Sequence, residues 1–186
     1  MSGIGHNRGP ALASGLTGYA WRRARADLLP RLPIEVLRGR IRRAKELGID
    51  YTTYASVRAA TGRDVVALLF SSNALRVVRG REDPAPAIAA RLRSTDARRL
   101  LAALPPLDAE AVPFPFDARG PAPTLRDTPR TQAARLAAIA AGLPHDAVLV
   151  IGETMMERGW VASGRFAGWL PADRWRAGPG GAPDAA

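Results

Sequence analysis

The stretch Asp64-Val65-Val66-Ala67-Leu68-Leu69-Phe70-Ser71-Ser72-Asn73-Ala74-Leu75 decides how this chain is read. Six consecutive apolar residues, Val65–Phe70, fit either a buried strand or a segment of buried helix, and periodicity alone does not separate the two. Ser71–Leu75 continues the run in helical register, which favours a helix. The residues before it extend that picture. Pro33–Leu47 has proline at its first position and Gly48 just past its end, the asymmetry expected of a helix. Ile34, Leu37, Ile41 and Ala44 fall at helical spacing and predict one buried stripe. Asp50 or Thr52 can cap a second helix that runs to about Ala60 and closes at Gly62. Three helices joined by glycine turns give a small basic helical domain over residues 19–80, preceded by a flexible, glycine-rich tail over 1–18.

Beyond that domain, Asp83-Pro84 opens a helical connector over 81–104 that Ser94-Thr95 interrupts. Residues 105–127 carry Pro105-Pro106, Pro113, Pro115, Pro121 and Pro123 and read as an extended linker. Thr128-Pro129 begins an alanine-rich helix closed by Gly142, and Ala147–Ile151 is the clearest strand, followed by a short helix from Glu153 to Arg158. This makes residues 128–177 a small α/β unit, with a flexible tail over 178–186. The fold class expected is therefore mainly α with a small α/β C-terminal unit: basic helical domain, proline-rich linker, helix–strand–helix domain.

The chain has 186 residues, a formal charge of +10 and no cysteine. The absence of cysteine excludes a disulfide scaffold, cysteine-ligated zinc, iron–sulfur clusters and thiol nucleophiles. No run of apolar residues is long enough to span a membrane, and residues 1–20 lack the charged and apolar regions of a secretion signal, so cytoplasmic residence and no membrane partner are expected. Residues 1–80 hold 14 Lys+Arg and 5 Asp+Glu, a net of +9, whereas residues 81–186 hold 13 and 12, a net of +1. All the basic residues but Lys45 are arginine, the better side chain for bidentate phosphate contact. Arg38, Arg42 and Lys45 cluster on the Pro33–Leu47 helix, and Arg22, Arg23 and Arg25 extend the basic set. These six residues are the candidate nucleic-acid contacts. Phosphate contact of this kind gives affinity without sequence information.

Other constellations point less far. The turn Ala60-Thr61-Gly62-Arg63 has helix-turn-helix length, but the would-be recognition helix Val65–Phe70 is too apolar to read base edges. Ser71-Ser72-Asn73 suits capping and local hydrogen bonding. The turn Ile151-Gly152-Glu153-Thr154 follows a strand, where α/β proteins hold phosphate, but Glu153 repels it, and no glycine-rich nucleotide motif is present. Glu153, Glu157 and His145 are the candidate acid–base or metal set. They underlie a third reading of the chain, as an enzyme, while the two leading readings assign no catalytic residue, metal or cofactor. Trp160, Phe166, Trp169 and Trp175, interleaved with Arg158, Arg165, Arg174 and Arg176, either stack on bases or build the core of a small domain, and the core is the commoner use. The same aromatic segment is the place for a protein partner.

The tail Gly3-Ile4-Gly5-His6-Asn7-Arg8-Gly9-Pro10, the stretches Leu32–Leu37 and Arg63–Leu75, and the end Leu149–Trp175 together resemble an uncharacterised alphaproteobacterial family with an N-terminal GIGHN-x-GP signature. The resemblance implies a bacterial, GC-rich origin and carries no activity or site residue to this chain. The function expected is that of a non-enzymatic accessory or regulatory protein that contacts DNA or RNA, with a protein–protein adaptor as the alternative.

Overall fold

The computed structural model describes residues 32–77 and 83–179. From Arg38 onward the chain forms one compact unit; residues up to Leu37 belong to a second, of which only 32–37 are described. The compact unit is built on five parallel strands in the order β3-β2-β1-β4-β5. These are β1 (Ala67–Ser71), β2 (Arg98–Ala103), β3 (Ala118–Pro121), β4 (Val148–Gly152) and β5 (Gly168–Pro171). The chain winds outward from β1 to β3, returns to place β4 beside β1, and winds the other way to β5, which is the doubly wound arrangement.

Six helices accompany the sheet among the described residues: α1 (Ile34–Glu46), α2 (Tyr51–Thr61), α3 (Pro86–Ser94), α4 (Pro129–Ile139), α5 (Met155–Gly164) and α6 (Ala172–Ala177). Alternate residues of β1 serve two cores. Leu68 and Phe70 pack with Ala44 of α1 and Leu47 just beyond it, Tyr54 of α2, Leu92 of α3 and Trp175 of α6. Ala67 and Leu69 pack with Leu136 of α4 and Trp160 of α5 on the opposite face. Both faces of the sheet are therefore covered, as a parallel sheet requires.

The fold is α/β, and the expectation of a mainly α protein with a small α/β unit is corrected. The decisive stretch is β1, the central strand, with every residue buried. Its lack of polar alternation, which suited a buried helix, is what a strand covered on both faces produces. The residues after Ser71, Ser72 to Arg76, leave the strand as a turn, not as further helix, so no recognition helix and no helix-turn-helix exist here. The expected helical connector contains β2. The expected linker contributes β3, a 3₁₀ turn at Ala109–Ala111, and the buried Leu107, Val112, Phe114 and Phe116. Its segments pair with and pack against a sheet that draws strands from both of the anticipated domains.

Local signals survive this correction. Asp50 caps α2 and Gly62 closes it at φ 72°. Thr128 caps α4, and Gly142 follows at φ 76°. The stripe expected on α1 is displaced: Ala44 is buried, but Ile34 and Ile41 are 56% and 47% exposed. Residues 19–31 of the expected basic domain and both expected tails lie outside the described residues, apart from Gly178 and Pro179.

Candidate nucleic-acid interface

Arg38, Arg42 and Lys45 are all exposed on α1. At about 100° per residue they share the side of the helix opposite Ala44 and Leu47, which anchor it in the core. Arg42 makes one loose pair with Glu46, at 4.0 Å. The Lys45 ammonium has no ion-pair or hydrogen-bond partner among the described residues. Arg22, Arg23 and Arg25 lie outside the described residues, so their place relative to these three is not part of this geometry.

The intervening Arg43 has the opposite role. It turns inward and donates to Asp64 at 3.2 Å, to the carbonyl of Val65 at 3.2 Å and to that of Asp96 at 3.0 Å, and it also meets Glu46 at 3.3 Å. Asp64, Asp96 and Glu46 are thus gathered on Arg43, and of these Glu46 also reaches Arg42. The amide of Asp96 donates to the carbonyl of Glu46 at 2.9 Å, which fixes the last turn of α1 against the turn before β2.

That turn leads into a second basic feature, which sequence reading missed. Arg43, Arg93, Arg98 and Arg99 line a depression of about 430 Å³ at the amino ends of β1 and β2. Arg99 pairs with Asp117 at 3.5 Å, and Arg93 lies over the ring of Phe114 at 5.5 Å. Arg98 is exposed, and its guanidinium has no ion-pair or hydrogen-bond partner among the described residues. A reading of 81–104 as helix scatters Arg98 and Arg99 around an axis, and only the strand assignment places them at a sheet edge.

The acid–base set does not assemble. His145 precedes β4, where Nδ1 lies 2.8 Å from the carbonyl oxygen of Gly164. Glu153 and Glu157 follow β4 and so sit at the other edge of the sheet. Glu157 is fully buried. One of its oxygens accepts from the Asn73 side chain at 2.9 Å, and the other accepts from the backbone N–H groups of Glu153 and Thr154. This carboxylate completes a capping box with Thr154 and leaves the start of α5 closed to an outside anion. Among the described residues no cluster of three or more His, Asp and Glu has metal-binding geometry.

Ser71–Asn73 are likewise engaged within the fold. Ser71 accepts from the amide of Ala74 at 3.0 Å, and Ser72 from that of Leu104 at 3.1 Å. Of the C-terminal aromatics, Trp160, Phe166 and Trp175 are buried, and Trp169 is half-buried beneath Arg158 at 5.6 Å. Three of the four therefore build the core. No helix of the described residues is long and apolar enough to cross a membrane. No family model matches the chain, and comparison with curated proteins and with solved structures finds no match to it.

Proposed function

We propose that the protein is a non-enzymatic accessory or regulatory protein that contacts nucleic-acid phosphates through the outward face of α1. The observation that carries this reading is the division of labour along one helix. Arg43 holds Asp64 and Asp96 for the fold, while Arg38, Arg42 and Lys45 stand exposed together on the side away from the core. A rigid row of cations spaced along a helix suits a phosphate backbone, and guanidinium groups suit phosphate in particular. Arg93 and Arg98 extend the basic surface near the end of α1.

The test is fluorescence anisotropy of the full chain with labelled single- and double-stranded oligonucleotides across a salt series. Three to five phosphate contacts give a slope of log K against log salt of roughly −3 to −4.5 on duplex DNA. Arg42→Glu with Lys45→Glu weakens binding by about tenfold or more and flattens that slope. Absence of salt-sensitive binding at low ionic strength, or an unchanged slope in the double variant, overturns the reading.

A further inference from the structure

At the carboxyl edge of the sheet, β1 and β4 lie side by side while their connections depart in opposite directions. Open α/β sheets hold their ligands outside the strand ends at such a switch point. The usual anion position there, the start of the helix after β4, is taken by Glu157. Next to it, however, two hollows of about 430 and 350 Å³ share a wall formed by Arg76 and Arg176. Both volumes lie in the range of small-molecule sites, about 300–1,000 Å³.

The two arginines differ in how they are held. Arg176 is pinned: its guanidinium donates to the carbonyl of Ala74 at 2.9 Å and meets both oxygens of Glu153, at 2.9 and 3.3 Å. The pairing neutralises the charge of Glu153 and leaves its remaining lone pairs able to accept from hydroxyls. Arg76 is exposed, and its guanidinium makes no hydrogen bond or ion pair among the described residues, its backbone amide alone donating to the carbonyl of Asn73 at 2.9 Å. It also sits in the left-handed region at φ 57°, a conformation a glycine adopts without cost. A strained position that holds a partnerless cation beside a second arginine is the kind of outlier from which function is inferred.

The walls on either side differ in chemistry. The first hollow is bounded by Glu153 and Asp173, which accept hydrogen bonds, and the second by the apolar Ala85, Ala87 and Ile88. We propose that this trough binds a sugar phosphate ester, with the phosphate on Arg76 and Arg176 and the sugar hydroxyls on Asp173 and Glu153. Arg91, which lines the second hollow, adds a further positive charge. The five ionisable groups of the trough, Arg76, Arg91 and Arg176 against Glu153 and Asp173, sum to +1, which favours an anion. This site is separate from the α1 face, and either assignment stands without the other.

Isothermal titration of the full chain with ribose 5-phosphate, ribose and inorganic phosphate tests the proposal. Ribose 5-phosphate saturates with a Kd of about 1 mM or tighter, and ribose and inorganic phosphate each bind at least about tenfold more weakly. Arg76→Gly removes the charge without strain, so it leaves the thermal midpoint undiminished and weakens ribose 5-phosphate by about tenfold or more. Asp173→Asn keeps the local acceptor but weakens ribose 5-phosphate more than inorganic phosphate. No saturation by about 10 mM ribose 5-phosphate, or binding unaffected by Arg76→Gly, overturns the site. Equal affinity for inorganic phosphate and ribose 5-phosphate overturns the sugar assignment.

Discussion

Glu157 shows how a residue flagged for chemistry can be committed to the fold. The sequence groups it with Glu153 and His145 as a candidate acid–base set, yet its side chain is buried and accepts three hydrogen bonds. The contact that settles its role comes from Asn73, 84 residues away, which no local pattern reveals. Removing a partner from a buried charged acceptor costs about 1–3 kcal/mol, more than the net worth of the bond. Asn73→Ala is therefore expected to lower stability by about that amount in urea unfolding, and Asn73→Asp by more, because it sets two carboxylates against each other. Wild-type stability in Asn73→Asp would show that this bond does not tie β1 to α5. Gly152 is constrained by the same cluster, since a Cβ there would lie 2.8 Å from the Trp169 indole nitrogen and 2.9 Å from Cβ of Glu157.

At the scale of elements, what could be read from the sequence was what the chain encodes locally. The cap at Asp50, the stop at Gly62, the cap at Thr128 and the strand at Val148–Gly152 each depend on neighbouring residues. The misread elements depend on distant ones. β1 pairs with β2 and β4, and its apolar run has no alternation because helices cover both faces. β3 is four residues inside a proline-rich segment and is a strand only because β2 pairs with it. The outward row on α1 was legible from spacing, but the basic depression at the start of β2 was not.

The cap of α2 permits a test with a definite pH sign. Asp50 accepts from the Thr53 amide at 2.8 Å and hydroxyl at 2.6 Å, and from Arg174 at 3.0 Å. Burial raises the pKa of this carboxyl, but the Thr53 hydrogen bonds and the Arg174 charge together outweigh burial and hold it below the ordinary aspartate value. A depressed carboxylate stabilises the fold above its unfolded pKa of about 3.9, and that contribution disappears as pH falls through the folded value. Asp50→Ala is expected to cost about 1 kcal/mol at pH 7, and the gap between variant and wild type narrows below about pH 4. Thermal midpoints at pH 7 and pH 3 measure this, and a gap that widens on acidification contradicts it.

For the whole molecule, the consequence of the sheet order is that the proline-rich segment is interior structure and the chain is not divisible at it. Leu107, Val112, Phe114 and Phe116 are buried in the same core as Leu47 and Leu92. Arg119 of β3 donates to the carbonyls of Val112 at 2.8 Å and Phe114 at 3.2 Å, holding the segment against the sheet edge. Cutting there separates β1 from β4, and so bares the central strand of a sheet whose parallel pairs have no hairpin to join them. The fragment 32–104 is accordingly expected to lack a cooperative thermal transition by far-UV circular dichroism, and so is 128–186, while the full chain unfolds in one step. A cooperative transition in either fragment would restore the two-domain arrangement. The result bears on function as well. The last turns of α1 are oriented by Ala44 and Leu47 seated among Leu68, Phe70 and Trp175, so the row of Arg38, Arg42 and Lys45 is presented by the complete sheet. If phosphate contact depends on that row as a rigid surface, the fragment 1–80 retains its charge yet binds oligonucleotide more weakly than the full chain at equal ionic strength. Equal binding by fragment and full chain would mean that charge alone, and not the folded face, carries the affinity.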